Sequence, residues 1–197
     1  MQRGAPGSLP ARPAPFEQPK IRHVMQLAHL ARTGQALFVH GLFKYFPGTT
    51  RIYLDNCCLS RPFDDQSQER IRAETEAIRL ILEGVARGEW ELIDSEAVVM
   101  EAAMIADPEK RRQVLALATA GTVRSSVRAE HIERTRVLIM LGFTSFDALH
   151  VASAEIGGAQ VLLTTDDGMV RRARRLTRDV SVRIANPLTW LEEVARG

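Results

Sequence analysis

The chain has 197 residues, 45% of them hydrophobic, which suits one α/β-sized domain with a real core plus an appendage. No apolar stretch reaches the ~18 residues of a membrane span, and the only two cysteines, Cys57 and Cys58, are neighbours, which excludes a disulfide framework and points to a reduced, cytoplasmic setting. The net charge of +2 hides a division: residues 1–50 hold six Lys/Arg and one acid, whereas the remainder is mildly acidic, so total charge does not predict nucleic-acid binding.

Residues 1–20 contain Pro6, Pro10, Pro13, Pro15 and Pro19, together with Gly4 and Gly7, and read as a disordered tail. Ile21, Val24, Met25 and Ala28 lie near helical spacing and predict a short helix over 20–33. Residues 1–50 are expected to form a proline-rich extension without an assigned function. From Arg51 the pattern becomes regular. Residues 51–55 predict a buried strand, and 65–87 a helix with Ile71, Ile78, Leu82 and Val85 on one face. Trp90–Ile93 predicts a second strand. Ser95 is a candidate N-cap for a helix reaching Ala106, and Asp107-Pro108 starts the next helix. Gly121–Ser126 suggests a short extended piece. Helices follow over Ala129–Leu141, ending at Gly142, and Thr144–Ile156, ending at Gly157-Gly158. Strand 160–165, helix 167–176, strand 181–185 and helix 187–195 complete the chain. Strands alternating with helices imply a parallel sheet covered on both faces, in one domain over 51–197.

Four carboxylates carry the functional signal. Asp55 ends the first strand and Asp166 follows the 160–165 strand, while Glu101 and Asp147 lie on helices between them. Parallel sheets bind ligands beyond the carboxyl ends of their strands. Carboxylates gathered there repel one another unless a cation neutralises them. Hard oxygen donors suit Mg²⁺ or Mn²⁺, and such ions commonly serve phosphoryl chemistry. Each acid also has a plainer reading. Asp55 could be a turn or cap residue. Glu101, a single acid in an apolar segment, could sit at the solvent edge. Asp147 resembles the acid of a capping box opened by Thr144. One of Asp166 and Asp167 is expected to cap the following helix, with Asp166 the better ligand candidate. His150, one turn after Asp147, reads as a core histidine or as a partner of the acids.

The run Ile52-Tyr53-Leu54-Asp55-Asn56 resembles the opening strand of PIN-domain nucleases. Phe146-Asp147-Ala148-Leu149-His150 resembles the helix carrying their third acid, and Leu162-Leu163-Thr164-Thr165-Asp166-Asp167 the strand end carrying their fourth. Glu101 falls where the second is expected. The resemblance covers about 51–192. It implies a three-layer α/β/α sandwich around a parallel sheet, and Mg²⁺- or Mn²⁺-dependent cleavage of phosphodiester bonds, commonly in RNA. Asp55, Glu101, Asp147 and Asp166 would be both metal ligands and catalytic groups. It further implies the toxin half of a toxin–antitoxin pair, an antitoxin partner and a homodimer. Asp55-Asn56-Cys57 departs from the family's usual Asp-Thr-Asn opening, so the alternative is a PIN-fold binding module without nuclease activity. Cys57 and Cys58 lack companions at zinc spacing and read as small packing residues. Arg171, Arg172, Arg174, Arg175 and Arg178 cannot share one helix face. They read as a solvated surface or as a grip on phosphates beside the acids.

Overall fold

A computed structural model describes residues 49–196. The proline-rich lead and the helix expected over 20–33 lie outside the described residues. Five strands form one all-parallel sheet in the order β3-β2-β1-β4-β5. They are β1 (Thr50–Leu54), β2 (Trp90–Ser95), β3 (Val123–Ser125), β4 (Val161–Leu163) and β5 (Arg183–Ala185). β1 lies at the centre, with Ile52 opposite both Leu92 of β2 and Val161 of β4. Such strands are buried on both faces, and Ile52, Tyr53, Leu54, Leu162 and Leu163 are accordingly all buried.

Helices cover both faces, giving the three-layer α/β/α sandwich. They are α1 (Asn56–Ser60), α2 (Glu69–Ala86), α3 (Glu96–Ala102), α4 (Pro108–Ala118), α5 (Ala129–Met140), α6 (Ser145–Ile156), α7 (Asp167–Arg175) and α8 (Pro187–Arg196). α2 packs with α8, while α6 packs with α5 and α3. None is long and apolar enough to cross a membrane.

Strand ends shift by one or two residues from expectation, and larger differences occur in three places. α1 and the 3₁₀ turn Arg61–Phe63 occupy a stretch for which no element is expected, because a five-residue helix is too short to display a period. α2 starts at Glu69 rather than 65. Asp65 accepts from the Ser67 N–H at 3.0 Å, and this local turn competes with helix. α3 ends at Ala102 rather than 106, since Asp107 must be extended before Pro108, where its side chain caps α4 through the N–H groups of Glu109 and Lys110. Gly142 and Gly158 end α5 and α6 at φ +97° and +71°, a region that disfavours a Cβ.

The topology dictates where a ligand would sit. The chain moves outward from β1 through β2 to β3, then returns to the other side of β1 as β4. The strand order reverses between β1 and β4, and the crevice beyond their carboxyl ends is the favoured binding position. Asp55 and the Thr164–Asp166 segment follow those two strands.

Candidate metal centre

The Asp55 N–H donates to Leu163 O at 3.0 Å, which extends the β1–β4 ladder one residue past the strand and pins Asp55 over the crevice. Its extended backbone (φ −66°, ψ 154°) makes it the N-cap residue of α1, but its side chain makes no capping bond. Oδ2 instead accepts from Thr164 Oγ1 at 2.7 Å and from Cys57 Sγ at 3.1 Å. The Thr165 N–H in turn donates to Cys57 Sγ at 3.2 Å. Asp55 is only 5% exposed. Its side chain therefore does no turn or capping work; one oxygen is tied down and Oδ1 faces His150.

Glu101 points inward. Ser95 opens α3 by accepting from the Ala97 N–H, and Glu101 Oε2 then lies 2.7 Å from His150 Nε2. The same nitrogen is 3.4 Å from Asp55 Oδ1. His150 is 1% exposed, and its Nδ1 lies 2.8 Å from the Tyr53 hydroxyl, which donates to Ser95 Oγ at 3.1 Å. Burial pushes the imidazole toward its neutral form, but the charges of Asp55, Glu101 and Asp147 outweigh it and raise the His150 pKa. Burial also raises the Tyr53 pKa, so its hydroxyl keeps its proton.

Asp147 combines both of its readings. Its N–H donates to Thr144 Oγ1 at 3.3 Å, as in a capping motif. Its half-buried carboxyl is raised above the usual range by burial first, with the charges of Asp55 and Asp166 adding to the effect against the Thr144 hydrogen bonds. Asp166 lies at the exposed rim. Its Oδ1 caps α7, accepting from the N–H groups of Gly168 at 2.6 Å and Met169 at 3.3 Å. Asp167 turns away: Arg70 binds it through both guanidinium NH groups at 2.7 and 2.8 Å and lowers its pKa.

The tightest grouping is thus Asp55, Glu101 and His150, whose potential ligand atoms all lie within 4.8 Å of one another and could hold a metal ion. Asp147 and Asp166 flank it, close enough for their charges to be felt. The donor set fits an ion. No Arg or Lys forms an ion pair with Asp55, Glu101, Asp147 or Asp166 among the described residues. Asn56 Oδ1 and Thr165 Oγ1, buried at the ends of β1 and β4, have no hydrogen-bond partner among the described residues, although buried polar atoms are normally paired. His150 is the member absent from the ligand set expected from the sequence, where it read first as a core histidine. The available signal was its i, i+3 spacing from Asp147, which puts both on one helix face.

The arginine cluster divides. Arg172 stacks over Phe143, 5.8 Å from the ring centre. Arg171 and Arg174 line a groove of about 790 Å³ that runs along β5 and reaches Asp167. No family model matches the chain, and no curated protein matches it either.

Proposed function

We propose that this chain is a metal-dependent endoribonuclease of the PIN-domain type, using Mg²⁺ or Mn²⁺ to hydrolyse phosphodiester bonds. The observation that carries the reading is the convergence of Asp55, Glu101 and His150 in the β1/β4 crevice, with no lysine or arginine counter-ion among the described residues. The sequence resemblance and the α/β/α architecture support it. Asp55 and Glu101 would hold the ion, with Asp147 and Asp166 at the open rim. When bound, a divalent ion supplies charge stabilisation for the phosphoryl group and lowers the pKa of an attacking water.

The chain's own residues do the rest. Thr164 and Cys57 hold Asp55 Oδ2, so Oδ1 keeps a set direction. Asp147, whose pKa is raised by burial and by the neighbouring acids, holds a proton more readily than an ordinary carboxyl at the rim. Arg171 and Arg174 form no ion pair among the described residues and would hold backbone phosphates in the β5 groove. The Asn56-Cys57 departure, which motivates a non-catalytic reading, leaves Asp55 oriented because the Cys57 thiol itself donates to it. This favours a competent site. The toxin role, the antitoxin and the homodimer rest on the resemblance alone.

The deciding experiment incubates the purified chain with single-stranded RNA and DNA, with and without Mn²⁺. RNA cleavage that requires Mn²⁺ and is lost in Asp55→Asn is expected. Mn²⁺ binding without cleavage of either polymer would favour the binding module.

A further inference from the structure

We infer that His150 is itself a metal ligand through Nε2, and that the centre therefore prefers a first-row transition ion of the Mn²⁺ kind over Mg²⁺. The inference rests on the metal-binding part of the function proposed above and not on its RNA chemistry. It begins with the placement of protons. Ser95 Oγ accepts from the Ala97 N–H, as the cap of α3, and from the Tyr53 hydroxyl. Tyr53 has one proton to give, and the geometry directs it to Ser95. The Tyr53 oxygen is left as an acceptor, so His150 Nδ1, 2.8 Å away, is the nitrogen that carries the hydrogen. Nε2 is then the nitrogen able to present a lone pair, and Nε2 is the atom that faces Asp55 and Glu101. A cation entering between these groups replaces the proton that Nε2 shares with Glu101.

This is the arrangement of a ligating imidazole, whose second nitrogen donates to a fixed acceptor that sets its orientation. Tyr53 links the Ser95 helix cap to the His150 ring. It is 0% exposed in the central strand, where Phe would pack as well and leave no hydroxyl to satisfy. The chain from helix cap to tyrosine to imidazole is a row of buried polar groups ending at the metal position. Its consequence is selectivity. Mg²⁺ prefers near-octahedral oxygen and keeps its waters, whereas imidazole nitrogen suits transition ions. Two carboxylates with one imidazole shift preference away from Mg²⁺ relative to a site of four carboxylates.

The test uses the full chain, freed of metal by chelation, with no RNA present. Mn²⁺ and Mg²⁺ are titrated by calorimetry, and the Mn²⁺-loaded protein is examined by pulsed electron paramagnetic resonance for nitrogen coupling. Mn²⁺ binding at least about tenfold tighter than Mg²⁺ is expected, with an imidazole nitrogen signal that disappears in His150→Gln. Tyr53→Phe should weaken Mn²⁺ by about 10–100-fold while keeping the nitrogen signal. Bound Mn²⁺ without nitrogen coupling in the unaltered chain, equal affinity for the two ions, or no Mn²⁺ binding would each overturn the inference, and none depends on a variant folding. Nitrogen-coupled Mn²⁺ in a protein inert toward RNA would refute the nuclease reading alone. RNA cleavage with oxygen-only Mn²⁺ would refute this inference alone.

Discussion

Two buried carboxylate centres in this fold are balanced in opposite ways. Glu74 of α2 is 1% exposed, and arginines surround it. Arg70 Nε donates to Oε1 at 2.9 Å, as does Asn186 Nδ2 at the start of α8, while Arg61 Nε lies 2.9 Å from Oε2 in a contact whose direction is poor for a hydrogen bond, so charge rather than geometry carries it. Glu155 is likewise held by Arg134, through two contacts of 2.6 and 3.0 Å. In the β1/β4 crevice Asp55 is comparably buried, yet among the described residues its charged neighbours are acids and one histidine. A buried acid costs several kcal/mol unless it is paired. The Glu74 centre is complete within the chain. The Asp55 centre has no arginine or lysine among the described residues, only His150, and could hold a metal ion. Buried acids with arginine partners read as structure, and buried acids without them read as a site.

The largest test of this contrast is Asp55→Asn. Removing the charge should weaken Mn²⁺ by about 100-fold or more, beyond the ~10–100-fold typical of residues that only support a ligand. Thermal stability without metal should hold or rise, because repulsion among the acids falls. Calorimetric titration together with thermal melts checks both parts, and unchanged affinity would remove Asp55 from the centre.

Glu74→Ala should behave in the reverse sense. Breaking a buried pair costs about 3–5 kcal/mol, and the low end applies because Arg70 is more than half exposed. A drop of roughly 6–12 °C in melting temperature is expected, with Mn²⁺ affinity per folded molecule unchanged. A loss of metal binding without a loss of stability would erase the distinction between the two centres.

The Glu155 pair predicts a pH effect. Burial raises this carboxyl, but the Arg134 guanidinium and the Ser181 N–H outweigh it, so its folded pKa lies below the ordinary 4.5. The stability it contributes is then fully present above about 4.5 and is lost as pH falls through the lower folded value. Glu155→Gln should flatten that part of the acid melting profile and leave the neutral-pH dependence of metal binding alone. Melting temperatures measured across the acid range decide this.

The smallest effect concerns the groove. Arg171→Ala with Arg174→Ala should change stability by no more than about 0.5 kcal/mol. If both arginines touch single-stranded phosphates, the slope of log affinity for RNA against log salt should shallow by about 1.4. An unchanged slope would return these side chains to the solvated surface.

Much of the fold is legible along the chain because its signals are local. Alternating apolar runs mark β1, β2 and β4, and Ser95, Asp107 and Thr144 cap the helices they precede through their own side chains. The short α1 escaped because five residues carry no period. The early end of α3 is consistent with Pro108, a signal present in the sequence, since the residue before a proline is extended.

The candidate site is legible only in part. The placement of Asp55 and Asp166 beyond strand ends follows from sequence order, since a strand's carboxyl end is a local fact. Position beside the strand favoured Asp166 over Asp167 as a ligand; the folded chain makes Asp166 the helix cap and gives Asp167 to Arg70, 97 residues away in sequence. Residue identity alone could not choose between a packed and a ligating His150, because Tyr53, Ser95, Glu101 and Asp55 reach that ring from separate elements. Sequence by itself determined the parallel α/β scaffold and the stock of acids, through short-range periodicity and capping. Which acids receive an arginine and which, among the described residues, do not was decided only by tertiary packing, because charge compensation depends on distances between residues that the chain order does not encode.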